Sequence, residues 1–134
     1  MRIATWNVER LKHQYALDKI LSTIEDAQAD ILVLTEIDER MMPNYRYGFH
    51  TPKLHDAPSD YHMPGRYKGY AVADFYKPTE NRVSIYTNYP CGKQYETYDK
   101  YTALCIELET AAGNLLILVC RAWILSLLAV MLLG

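Results

Sequence analysis

Asn7 and Glu36 each stand at the end of an apolar, β-prone run: Ile3-Ala4-Thr5-Trp6-Asn7-Val8 and Ile31-Leu32-Val33-Leu34-Thr35-Glu36. A carboxylate can hold a divalent cation, and a carboxamide offers both a donor and an acceptor, so the pair could position a metal and a phosphate. One helical pattern separates the two runs. Strand, helix and strand in that order predict a βαβ unit, whose strands run parallel and finish at the same edge of the sheet. Open α/β sheets bind their ligands at that edge, which would bring Asn7 and Glu36 together. A charge placed directly after an apolar run is expensive to bury alone, so Glu36 must be solvated, paired, or coordinating a cation.

The elements that would position this pair follow from hydrophobic periodicity. Residues 14–27 place Leu17, Ile20, Leu21 and Ile24 on one side and Asp18, Lys19, Thr23, Glu25 and Asp26 on the other, which predicts an amphipathic helix packed on a sheet. The unbroken run 31–34 suits an interior strand covered on both faces. Residues 38–69 are broken by Pro43, Pro52, Pro58, Pro64, Gly48 and Gly65, with at most a short strand over 45–50. His50, His55 and His62 fit no metal-binding spacing and are read as surface-loop residues. Residues 70–76 and 82–86 predict a hairpin across Lys77-Pro78-Thr79-Glu80-Asn81, with Asn88-Tyr89-Pro90 closing it. Residues 101–108 and 115–119 predict two antiparallel strands joined at Ala111-Ala112-Gly113-Asn114.

The chain of 134 residues is long enough for one domain, and its composition is globular. A formal net charge of -2 argues against broad nucleic-acid binding through a basic field, though not against a local basic groove. Cys91, Cys105 and Cys120 are odd in number and lack metal spacing, so they are expected to be reduced. With a strand opening the sequence and no signal peptide before it, the expected location is the cytoplasm.

Arg2-Ile3-Ala4-Thr5-Trp6-Asn7-Val8, a helix, and Asp30-Ile31-Leu32-Val33-Leu34-Thr35-Glu36 resemble the opening of the endonuclease/exonuclease/phosphatase family, which has the DNase I-like fold. Thr35 stands where that family often carries Gln, and Glu9 where many relatives carry a small polar residue. The resemblance implies an α/β (α+β) chain that forms part of a four-layer α/β sandwich, with a βαβ unit followed by mostly antiparallel strands. It covers residues 1–119, the N-terminal part of the family domain. By the same resemblance Glu36 binds the divalent metal, Mg²⁺ with Mn²⁺ possible, and Asn7 holds the adjoining polar network and the phosphate. Arg66, Lys68 and nearby tyrosines become possible phosphate or base contacts. The implied activity is metal-dependent phosphoester hydrolysis, with a nucleic acid or a small phosphodiester as substrate.

The resemblance stops after Val119. Residues 120–134 form an apolar tail expected to lie outside the family fold, where a Gly-Asp-x-Asn segment and a final Ser-Asp-His should follow. Without them the general base and most phosphate ligands are missing, so the chain as given is expected to be weakly active or inactive. Ser59-Asp60-Tyr61-His62 is interrupted and too early to supply them. Three accounts of the tail compete: a membrane span, which Arg121 would penalise by about 3 kcal/mol; a buried or partner-seeking helix; and translation out of frame, the account preferred here. The alternative function is a catalytically inert interaction or membrane-associated protein that keeps half of the fold. A second half of the fold supplied in trans is a further possible partner.

Overall fold

The computed structural model describes residues 1–10, 12–63, 76–121 and 126–133. Strand β1 (Ile3–Asn7) is followed by a 3-10 turn over Gln14–Ala16 and helix α1 (Leu17–Ala27), and then by β2 (Ile31–Asp38). The expected single helix over 14–27 thus divides, its first turn being the tighter 3-10 form. Gln28 ends α1 in the left-handed conformation, and the Arg2 guanidinium donates to the Ala27 carbonyl, satisfying part of the helix's open C-terminus.

β1 and β2 pair in parallel, with Ile3 opposite Ile31 and Asn7 opposite Thr35. Strand β3 (Tyr47–His50) and strand β4 (Glu80–Thr87) complete a four-stranded sheet in the order β1-β2-β4-β3, in which β4 runs antiparallel to both its neighbours. The second sheet is antiparallel throughout: β5 (Cys91–Tyr95), β6 (Ala103–Thr110), β7 (Gly113–Arg121) and β8 (Ser126–Leu133), in chain order.

Hydrophobic burial stacks these pieces in three layers. Ile31, Val33, Val83 and Ile85 from the first sheet pack against Leu104, Ile106, Leu108, Leu115, Ile117 and Val119 from the second. On the other face of the first sheet, Leu32 and Leu34 meet Ile24, Leu17 and Ile20 of α1. β2 is therefore the interior strand that its apolar run predicts, covered on both faces. Among the described residues the architecture is mixed α+β, mostly strands, with two sheets and one short helix.

Some expectations shift. The hairpin's first arm, residues 70–76, lies outside the described residues apart from Tyr76, as do Arg66 and Lys68. His50 belongs to β3 rather than to a loop, with its Nδ1 2.7 Å from Ser84 Oγ. β7 continues past Val119 to Arg121, and residues 126–133 pair with it as an outer strand. The tail described there is neither helix nor free segment. No helix among the described residues is long and apolar enough to cross a membrane. The three cysteines are free, as expected.

Candidate functional site

The site lies where β1 and β2 finish together. Asn7 is opposite Thr35, so the residue after its partner is Glu36, and the parallel pair delivers both candidates to one edge. Asn7 is exposed, and its side-chain oxygen accepts the Glu9 amide at 3.0 Å. Glu9 and Arg10 then both take positive φ, 49° and 59°. This sharp exit folds the chain back so that the Arg10 amide donates to the Glu36 carbonyl. Just before it, the Val8 amide donates to the Thr35 carbonyl at 3.1 Å.

Glu36 interrupts its own strand. Its φ is 53°, a left-handed conformation that costs a residue with a Cβ about 1–2 kcal/mol. The kink shifts the alternation of β2: Leu32 and Leu34 face the helix layer, and Ile37, three residues beyond Leu34 instead of two, joins the same cluster. The pairing with β4 keeps its register on both sides, from Thr35 opposite Val83 to Ile37 opposite Asn81. Strain of this kind inside a core strand persists only where its surroundings enforce it, and it gathers at functional sites.

Those surroundings are guanidinium groups. Glu36 Oε1 accepts from Arg121 Nη2 at 2.9 Å and from Arg82 Nη1 at 3.3 Å. The side chains of Arg82, Arg121 and Glu36 are 3%, 15% and 13% exposed, so the three charges are largely withdrawn from water. Arg82 Nε also donates to the Arg121 carbonyl at 3.3 Å, tying the end of β7 to β4. Burial pulls the Arg82 guanidinium below its ordinary pKa, with Tyr76 and Glu36 opposing the shift. It stays protonated at neutral pH all the same. The Tyr76 ring lies between two cations, its centroid 5.6 Å from the Arg82 guanidinium and 5.9 Å from that of Arg10. Arg10 also reaches Glu80, with Nε to Oε1 at 3.9 Å. Tyr76 Oη and Glu80 Oε2 are buried without a hydrogen-bond partner.

Sequence reasoning singled out Asn7 and Glu36, which the structure brings to one edge, and did not single out Arg82, Arg121, Arg10, Tyr76 and Glu80 around them. A signal was present for Arg121 alone, a single charge after the apolar run of β7, and a buried charge needs a counter-charge; Arg82 stands beside Glu80 and Asn81 in a strand of mixed polarity. Applied to Glu36, that rule offers solvation, pairing or a cation, and the structure pairs it.

The donor set bears directly on a metal. Mg²⁺ and Mn²⁺ accept a ligand set with only one or two carboxylates if waters complete it. Here the one oxygen of Glu36 that makes contacts carries two positive groups, and the space it shares with Arg10, Tyr76, Glu80 and Arg82 has no room for a water. No group of three His, Cys, Asp or Glu gathers among the described residues. As far as the described residues go, the arrangement neutralises a carboxylate and does not fit a hydrated dication. The chain matches no protein-family model and no curated protein.

Proposed function

We propose that residues 1–119 are the N-terminal part of a metal-dependent phosphoester hydrolase of the endonuclease/exonuclease/phosphatase family, built on the DNase I-like sandwich, and that this chain has little or no turnover. The observation that carries the reading is the parallel β1/β2 pair, which ends with Asn7 and a strained Glu36 at one sheet edge. A helix layer on a mixed sheet that packs face to face on an antiparallel one is what half of a four-layer sandwich would retain.

In this reading Asn7 orients a phosphoester, nucleic acid or small phosphodiester, and Glu36 is the ligand intended for Mg²⁺ or Mn²⁺. Because Glu36 is committed to Arg82 and Arg121, we assign no catalytic step through a metal. The free cysteines suit a reducing compartment, and we place the chain in the cytoplasm.

Two measurements test the reading. The encoding DNA, read in all three frames past the codon for Val119, should resume in another frame with Gly-Asp-x-Asn and Ser-Asp-His; if no frame does, the family reading fails. The chain as given, incubated with Mg²⁺ and bis(p-nitrophenyl) phosphate, should hydrolyse no faster than its Glu36→Ala variant. Robust turnover that this substitution abolishes would overturn the claim of inactivity.

A second reading, an inert interaction protein with half of the fold, is favoured by one observation. β8 leaves Leu127, Val130, Met131 and Leu132 exposed at the border of the second sheet, an apolar surface suited to a partner such as a second half of the fold, or less readily to a membrane.

A further inference from the structure

Four strands form the borders of the two sheets, and β8 is unlike the other three. β1 is five residues long and β3 four. β5, at the far border of the sheet that holds β8, has an irregular register between Cys91 and Lys93 and carries the charge of Lys93. Short length, a bulge and a lysine each blunt an open border against further pairing. β8 has none of them: it pairs with β7 in unbroken register over eight residues, without a charge, a proline or a glycine. Among the described residues no strand pairs with its other border. A row of backbone N–H and C=O groups is therefore presented there along a strand about 27 Å long. Both faces of the strand are apolar as well. Leu128, Val130 and Leu132 stand opposite Val119, Ile117 and Leu115 of the core, so they share the core face. Leu128 packs against the core, whereas Val130 and Leu132 are 40% and 57% exposed. Leu127, Ala129 and Met131, opposite Cys120, Leu118 and Leu116, lie exposed on the outer face.

We propose that β8 pairs antiparallel with β8 of a second copy of this chain, joining the two second sheets into one continuous sheet of eight strands. A two-fold axis normal to the sheet is the only one that sets a strand antiparallel beside its own copy, and it keeps core face with core face. Core-face residues then stand opposite core-face residues, so the register centres on a residue, Ala129 or Val130 at the middle of the strand. A second copy is the occupant because β8 is complementary to itself. Centred on Val130, Leu128 meets the partner's Leu132, Leu127 meets the partner's Leu133 and Ala129 meets the partner's Met131, with no like charges opposed. The pairing consumes both open borders at once, so association closes at two copies. Nothing in it depends on the chemistry at Asn7 and Glu36.

The test is analytical ultracentrifugation of the full chain from nanomolar to micromolar concentration, with circular dichroism to verify the folding of each variant. Wild type should sediment at twice the chain mass at the upper end. Ala129→Lys, at an exposed outer-face position, brings two like charges together across the axis in either register and should weaken dimerisation about tenfold or more. Ala129→Glu should do the same, and an equal mixture of the two variants should recover the dimer, because Lys then meets Glu. Leu116→Lys, on the outer face of β7 and one strand removed from the new pairing, should leave the dimer intact. A dimer lost there too would mean sheets stacked face to face and would overturn the proposal, as would folded Lys and Glu variants that fail to recover on mixing. So would wild type that stays monomeric or grows into open aggregates, whether or not it binds phosphatidylcholine vesicles. Should the Ala129 variants not fold, amide hydrogen exchange of wild type decides. Residues 126–133 should exchange more slowly at high concentration than at low, and rates that do not change would sink the pairing. A monomeric wild type would leave the phosphoesterase reading untouched, just as the lack of family motifs in every frame would leave the dimer.

Discussion

Glu36 and Asp38 lie two residues apart on β2, and both are acids withdrawn from water, yet they are stabilised in opposite ways. Asp38 has its counter-charge in its own turn. Arg40 donates to it from its amide, Nε and Nη2 at 3.0, 2.7 and 2.7 Å, and Thr79 Oγ1 adds a fourth bond at 2.7 Å, so both carboxylate oxygens are engaged. Burial alone would raise its pKa, but these donors outweigh it and hold the carboxyl at about 2. Glu36 has both contacts on one oxygen, from arginines on two other strands, and a backbone conformation that costs energy. The lesson is that an acid whose counter-charge lies in its own turn is structural, while one held in strain by distant charges is where chemistry should be sought.

Breaking the distant set should cost more than breaking the local one. Arg82→Ala removes a buried guanidinium from Glu36, from the Arg121 carbonyl and from the face of Tyr76, and should destabilise the fold by about 3 kcal/mol in urea denaturation. A loss under about 1 kcal/mol would mean that the Glu36 cluster contributes no more than a surface ion pair. Asp38→Asn should cost less, about 2 kcal/mol, because it weakens charge-assisted bonds whose arginine is half exposed. The same variant sharpens the comparison through pH. The Asp38 carboxyl has an ordinary value of 3.8 and is lowered to about 2 in the fold. Its contribution is therefore complete above 3.8 and drains away as pH falls towards 2. Wild type should lose stability through that window, and Asp38→Asn should lose less.

Periodicity made much of this legible. The alternation of Val83 with Ile85, and of Leu104, Ile106 and Leu108, marks residues that do fill the space between the sheets, and the apolar stripe of α1 does face the first sheet. β5 is hard to read in the sequence because Cys91-Gly92-Lys93-Gln94-Tyr95 lacks an apolar alternation; Cys91 packs against the core, and backbone pairing with β6 places the rest. β8 failed for the opposite reason. A run of Leu, Ala, Val and Met has no polar period to read, and pairing with β7 decides its state over any helical preference. At the candidate site, the strand order that joins Asn7 to Glu36 could be argued from chain order alone. The arginines could not, since nothing local names Arg121 as the partner of a residue on β2.

That distance along the chain also sets an order in time. The Asp38–Arg40 contact closes over 2 residues, whereas Glu36 meets Arg82 over 46 and Arg121 over 85. Closing the longer loops costs entropy that only docked sheets can offset, so the Arg121 contact belongs to the late, downhill side of the folding barrier. Its loss should show in the unfolding arm of a stopped-flow chevron, with Arg121→Gln unfolding faster and refolding at the wild-type rate. The arginine at the end of β7 would then act as a latch that is set after the fold has formed and that slows its opening.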